Sequence, residues 1–158
     1  MSYRVHLASV SADEIERARG TRAVELTASR TVVVDHDLVN LDVQPLAEVL
    51  AELVDVGQPL RNDGWHPLRA PIAVDPETAM ARARRLEDAW SAAEPELGGL
   101  LGEAVGPDVD AVRALYAHAS AAHEWVVSYL SAPEDPALAA RSLVPTTTAA
   151  AATAAPSP

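Results

Sequence analysis

The chain has 158 residues and a formal charge of −11, from 23 acidic and 12 basic residues. Its hydrophobic content of 49% suffices for one core, and with no cysteine there is no disulfide framework, thiolate zinc site or cysteine nucleophile. All 12 basic residues are Arg, so the absence of Lys excludes Schiff-base chemistry, a P-loop and a kinase-type lysine, while the acidic balance argues against binding nucleic-acid phosphates.

The opening Met1–His6 has no apolar h-region, and no apolar run approaches the ~20 residues of a membrane span. These observations predict no signal peptide, no membrane partner and a cytoplasmic location. Tyr3 to Val10 reads as a strand with Tyr3, Val5 and Leu7 on one face. Ser11-Ala12-Asp13-Glu14 then forms a capping box: Ser11 caps the Glu14 N–H, Glu14 reaches back, and Val10 and Ile15 flank the cap as a hydrophobic staple. The helix runs over 12–19 and stops at Gly20. A second short helix is expected over 22–29, followed by a buried strand at Thr31–Val34, where β-branched residues dominate.

Leu46, Val49, Leu50, Leu53 and Val54 recur at helical spacing, predicting a helix over 45–56 that Gly57 ends. A loop from Gln58 to Pro71 follows, then a short strand at Ile72–Val74. Asp75-Pro76 is a strong helix start, with Asp as N-cap and Pro in the first turn. Met80, Ala83, Leu86 and Trp90 carry that helix to about 93. Residues 97–106 are Gly-rich and read as partly helical. Pro107-Asp108 opens the longest helix, about 109–131, with Val109, Val112, Leu115, Tyr116, Ala119, His123, Val126 and Leu130 on one stripe. Pro133 ends it, and the Ala-, Thr- and Pro-rich 133–158 reads as a disordered tail that buries too little to offset its ordering entropy. The fold class expected is α+β: one domain over 1–132, a small sheet packed by three to four helices, the longest of them C-terminal.

Five residues of the 58–71 loop form the candidate binding site: Arg61, Asp63, Trp65, His66 and Arg69. Trp is enriched at binding hot spots, and Asp63 and His66 can converge beside it. The competing reading folds Trp65 back as a lid on the core. Asp35-His36-Asp37 places two carboxylates on one strand face, suited to a divalent cation or to an acidic strand exit. His118 and His123 are five apart, about 140° around a helix, a poor chelate; His123 reads as a core residue on the stripe. Arg82, Arg84 and Arg85 read as a solvated helical face pairing with Glu87 and Asp88. No nucleophile–base pair can be named from the sequence.

Met1-Ser2-Tyr3 running into Val10-Ser11-Ala12-Asp13-Glu14-Ile15, Pro71 to Glu77, and Val112 to Ala119 followed by Val126 to Leu130 together resemble the YfbM-like bacterial proteins. Asp35-His36-Asp37-Leu38 stands where that family has a "D-K-x-W" segment. The resemblance implies an α+β fold and brings no catalytic residues. For function, the first reading is a non-enzymatic protein-binding module, of the immunity or antitoxin kind, that masks a basic protein partner. The second is a small metal- or His-dependent enzyme using Asp63, His66, His36 or His123. No cofactor or structural metal is expected.

Overall fold

The computed structural model describes residues 4–20, 27–35, 38, 41, 43–60, 71–131 and 144–145. The sheet is built outward from β1 (Arg4–Val10), which pairs antiparallel with β2 (Thr27–Asp35) on one side and β5 (Trp125–Ser131) on the other. β4 (Ile72–Val74) continues beyond β5, and β3 (Gln58–Pro59) closes that edge. The five antiparallel strands thus lie in the order β3-β4-β5-β1-β2, and a two-residue β6 (Val144–Pro145) runs parallel to the start of β2.

Strand alternation explains why β1 sits at the centre. Val5 and Leu7 face one layer and Ala8 and Val10 the other, and all four are buried. A strand apolar on both faces belongs where both faces are covered. The inner face carries Val5 and Leu7 with Val34 of β2 and Val126 and Leu130 of β5, against three helices. The outer face carries Ala8, Val10, Ala28, Ala73, Val127 and Tyr129, with Ile15 and Ala18 from α1 (Ala12–Gly20).

The architecture is α+β, with four helices among the described residues. Ser11 caps α1 as the capping box requires, its Oγ accepting the Glu14 N–H at 3.3 Å. The return half of the box is not made. The Glu14 carboxylate turns instead to Arg17, at 2.5 Å, and to the Thr27 N–H. α2 (Leu46–Asp55) buries the five apolar residues expected from its spacing. Gly57 follows, where the chain passes close to β4: a Cβ there would lie 3.1 Å from the Ala73 carbonyl oxygen. Asp75 caps α3 (Pro76–Leu97), accepting the Thr78 N–H at 2.7 Å, and that bond holds its carboxyl below the usual range. No helix among the described residues is long and apolar enough to cross a membrane.

The C-terminal half departs from the sequence expectation in three places. α3 runs to Leu97, beyond 93, and α4 (Gly99–Ala121) begins at once rather than at Pro107. Only Gly98, at φ 72°, separates the two antiparallel helices; its left-handed backbone makes the reversal in one residue. Pro107 sits inside α4 because Val105 on one side of it and Val109 and Val112 on the other all bury against the core. α3 buries Ala79, Ala83 and Ala93, and its Trp90 packs over Gly106 of α4.

The third departure is larger. The stripe expected to run through 131 stops at Ala121, and residues 125–131 are β5, not helix. Trp125-Val126-Val127-Ser128-Tyr129 is rich in β-formers, and pairing with both β1 and β4 outweighs a helical continuation. His123, expected in the core, is exposed and forms the stop. Its N–H bonds to the Ser120 carbonyl at 3.1 Å and the Glu124 N–H to the Ala119 carbonyl at 2.7 Å, the two bonds of a Schellman motif, with His123 at φ 57° where glycine is usual.

β2 also corrects the earlier reading. Residues 27–29, expected in a short helix, open the strand, and 21–26 lie outside the described residues. Of the run Thr31–Val34 only Val34 is buried and Val33 is 44% exposed, so the strand is half-buried. Of the expected tail, only Val144–Pro145 is described.

His123 holds a left-handed conformation that costs a non-glycine residue roughly 1–2 kcal/mol. His123→Gly is therefore expected to raise stability by about 1 kcal/mol in urea unfolding, and a loss of stability contradicts the Schellman assignment.

Candidate functional site

Arg61, Asp63, Trp65, His66 and Arg69 lie outside the described residues, as do His36 and Asp37. Asp35 is exposed at the end of β2, and His123 is spent on the helix stop. No group of three or more His, Cys, Asp or Glu among the described residues is placed to hold a metal ion. Two other constellations emerge from the fold.

The first joins residues far apart in the chain. Ser9 near the end of β1, Ser29 near the start of β2, His118 in the last turn of α4 and Glu124 just before β5 meet at one end of the sheet. The register of β1 and β2 is disrupted between Ser9 and Val10, and Ser29 lies at this irregularity, opposite no β1 residue. Glu124 arrives because the Schellman turn places it immediately beyond the helix end. Its Oε1 accepts from Ser9 Oγ at 2.6 Å and from Ser29 Oγ at 2.5 Å. Ser29 Oγ also lies 3.1 Å from His118 Nε2, which is itself 3.8 Å from Glu124 Oε1. Ser9 is fully buried, Ser29 is exposed, and His118 and Glu124 are partly buried. Burial, then the charge of Arg30, hold the His118 pKa below its ordinary value against the opposing pull of Glu124.

This serine–histidine contact was not visible in the sequence. Ser29 and His118 stand 89 positions apart. Ser29 fell in a segment read as helix, where its strand partner and face could not be assigned.

The second constellation lies between α2 and α3. Arg82, Arg84 and Arg85 do not form one solvated face: Arg82 is 3% exposed, while Arg84 and Arg85 are exposed. Arg82 donates to the Tyr116 hydroxyl at 3.3 Å and to the Val56 carbonyl at 3.1 Å, with its guanidinium 5.5 Å from the Tyr116 ring centre. Arg85 forks onto Glu52 of α2, one bond being 2.8 Å, rather than onto Glu87 or Asp88. Next to that fork is an open groove of about 270 Å³. Pro45, Glu48 and Val49 line it from the α2 side, and Arg85, Asp88 and Ala89 from α3. Glu52 satisfies Arg85, whereas Glu48 and Asp88 make no ion pair with a described residue.

Comparison with protein-family models, curated proteins and solved structures finds no match to this chain.

Two imidazoles tie stability to pH. On the outer face His6 stacks on Tyr129 at 4.6 Å, and burial, then Arg4, bring its pKa from 6.5 down to about 4. The His118 pKa is lowered in the same direction. Unfolded, each titrates near its ordinary value, so the unfolded chain binds more protons than the folded one between about pH 4 and 6.5. Stability is complete above this window and is lost as pH falls through it. Between pH 7 and pH 5 the His6 contribution falls by about 2 kcal/mol. His6→Phe, which keeps a stacked ring, is expected to remove that part of the pH dependence of urea unfolding; an unchanged slope contradicts it.

Proposed function

We propose that the protein is a protein-binding module that docks a basic partner on its α2–α3 face, in the manner of an immunity or antitoxin protein masking a basic effector. The α2–α3 groove carries this reading. Its apolar floor of Pro45, Val49 and Ala89 suits the aliphatic stem of an arginine or lysine, and Glu48 and Asp88 stand at the rim to receive the cationic head. Arg85 on the groove wall forks onto Glu52 and also feels the charge of Glu48, so the carboxylates of the groove outnumber this cation. The chain's charge of −11 adds long-range attraction for a basic protein and speeds its encounter.

Kinship with the YfbM-like proteins belongs to the same proposal. The opening strand, the capped helix and the Asp75-led helix support it, whereas Val126 to Leu130, which the resemblance takes as part of a closing helix, lies in β5.

Titration of the isotopically labelled chain with a hexa-arginine peptide at low salt tests the groove. Amide shifts are expected to concentrate at residues 45–49 and 85–89. Glu48→Gln with Asp88→Asn is expected to weaken binding about tenfold, since each exposed charge contributes up to about 1 kcal/mol. Shifts spread evenly over the acidic surface, or affinity unchanged in the double variant, overturn the assignment.

A further inference from the structure

We propose that Ser29 is a nucleophile toward small uncharged acyl esters, with His118 as its base and Glu124 as the group that stabilises the imidazolium formed. The site is independent of the α2–α3 groove and shares no residue with it.

Geometry carries the inference. A serine becomes reactive when its hydroxyl lies within hydrogen-bond reach of a base and a third group supports that base. Ser29 Oγ is 3.1 Å from His118 Nε2, and Glu124 Oε1 is 3.8 Å from the same nitrogen. The hydroxyl hydrogen has three acceptors in reach: Glu124 Oε1 at 2.5 Å, His118 Nε2 at 3.1 Å and the Ser9 carbonyl at 3.4 Å. Ser29 gives its hydrogen to Glu124 at rest and to His118 on rotation about Cβ–Oγ, while the carboxylate is held in place by Ser9. The buried Ser9 hydroxyl donates to Glu124 Oε1 at 2.6 Å, anchoring the carboxylate beside the imidazole and supplying one of its hydrogen bonds. Burial and Arg30 favour the neutral form of His118, and its Nδ1–H tautomer is the one that offers the Nε2 lone pair to Ser29. Ser29 is exposed, so an ester can approach the face of Oγ that these partners leave open. The neighbouring carboxylate repels anionic substrates, which selects uncharged esters.

The step balances as ordinary acyl transfer. Ser29 Oγ forms a bond to the ester carbonyl carbon as its proton passes to His118 Nε2. The tetrahedral intermediate then expels the alcohol, whose oxygen takes that proton back as the carbon–oxygen bond breaks. Water repeats the sequence on the acyl-Ser29 ester, releasing the carboxylic acid and restoring the hydroxyl. Among the described residues, the charged groups that act on the imidazole are Arg30 of β2 and Glu124 between α4 and β5.

The test uses the full chain with p-nitrophenyl acetate, read by release of the phenol and by intact and peptide mass. One acetyl group is expected on Ser29, with a rate that falls only at pH below the ordinary imidazole range, as a base whose pKa is lowered requires. His118→Gln is expected to slow acetylation by about 100-fold or more, and Ser29→Ala to abolish it. No adduct on Ser29, or an adduct elsewhere that persists in Ser29→Ala, overturns the proposal. Should Ser29→Ala or His118→Gln fail to fold, Ser29→Cys decides through alkylation by iodoacetamide: faster reaction with the His118 imidazole intact than with Ser29→Cys/His118→Gln supports the pair, and equal rates overturn it.

Discussion

One buried cation ties together the three helices on the inner face of the sheet. Arg82 of α3 reaches the carbonyl of Val56, the residue that caps the C-terminal end of α2, and the hydroxyl of Tyr116 on α4. A buried guanidinium without an ion pair is costly unless fixed dipoles replace water. Here they do: the negative end of the α2 dipole lies against it, and the fully buried Tyr116 offers both its hydroxyl and its ring. Burial in turn raises the Tyr116 pKa, so the phenol stays a neutral partner. Three helices whose mutual packing would otherwise rest on non-directional burial receive a single defined arrangement.

That arrangement sets what the surface can do. Arg82, Arg85 and Ala89 follow one another along the α3 face that meets α2, so the bond from Arg82 to the end of α2 also spaces the walls of the acidic groove. At the far end of α4 the Schellman turn sends the chain back as β5 and drops Glu124 between Ser9 and Ser29. The groove thus depends on how α3 holds α2, and the serine–histidine cluster on where α4 stops. Each site arises where a helix end meets another element.

Local signals were legible where a short window contains the whole cause. The Ser11 and Asp75 caps, the apolar stripe of α2 and the short strand at Ile72–Val74 all follow from neighbours within a turn or two. Failures came where distant partners decide. Trp125–Ser131 carries spacing compatible with a helix, yet two strands were waiting to pair with it. Residues 27–29 lacked any local mark of a strand until β1 lay beside them. Arg82 looked like its neighbours Arg84 and Arg85, because a sequence does not reveal which turn of a helix faces a carbonyl on another helix. The serine–histidine pair was hidden for the same reason: its members come from β2 and α4, and nothing near either one names the other.

The measurement closest to the central claim is a double-mutant cycle on Arg82→Met and Tyr116→Phe, read by urea unfolding. Arg82→Met leaves the buried Tyr116 hydroxyl and the part-buried Val56 carbonyl without their donor and opens a gap between the helices, and a loss of about 3 kcal/mol is expected. Tyr116→Phe removes one of the two acceptors and is expected to cost about 1 kcal/mol, with a coupling energy of at least about 1 kcal/mol between the two. If Arg82→Met stays within about 0.5 kcal/mol of the parent and the two changes simply add, Arg82 is not the tie that holds the helices.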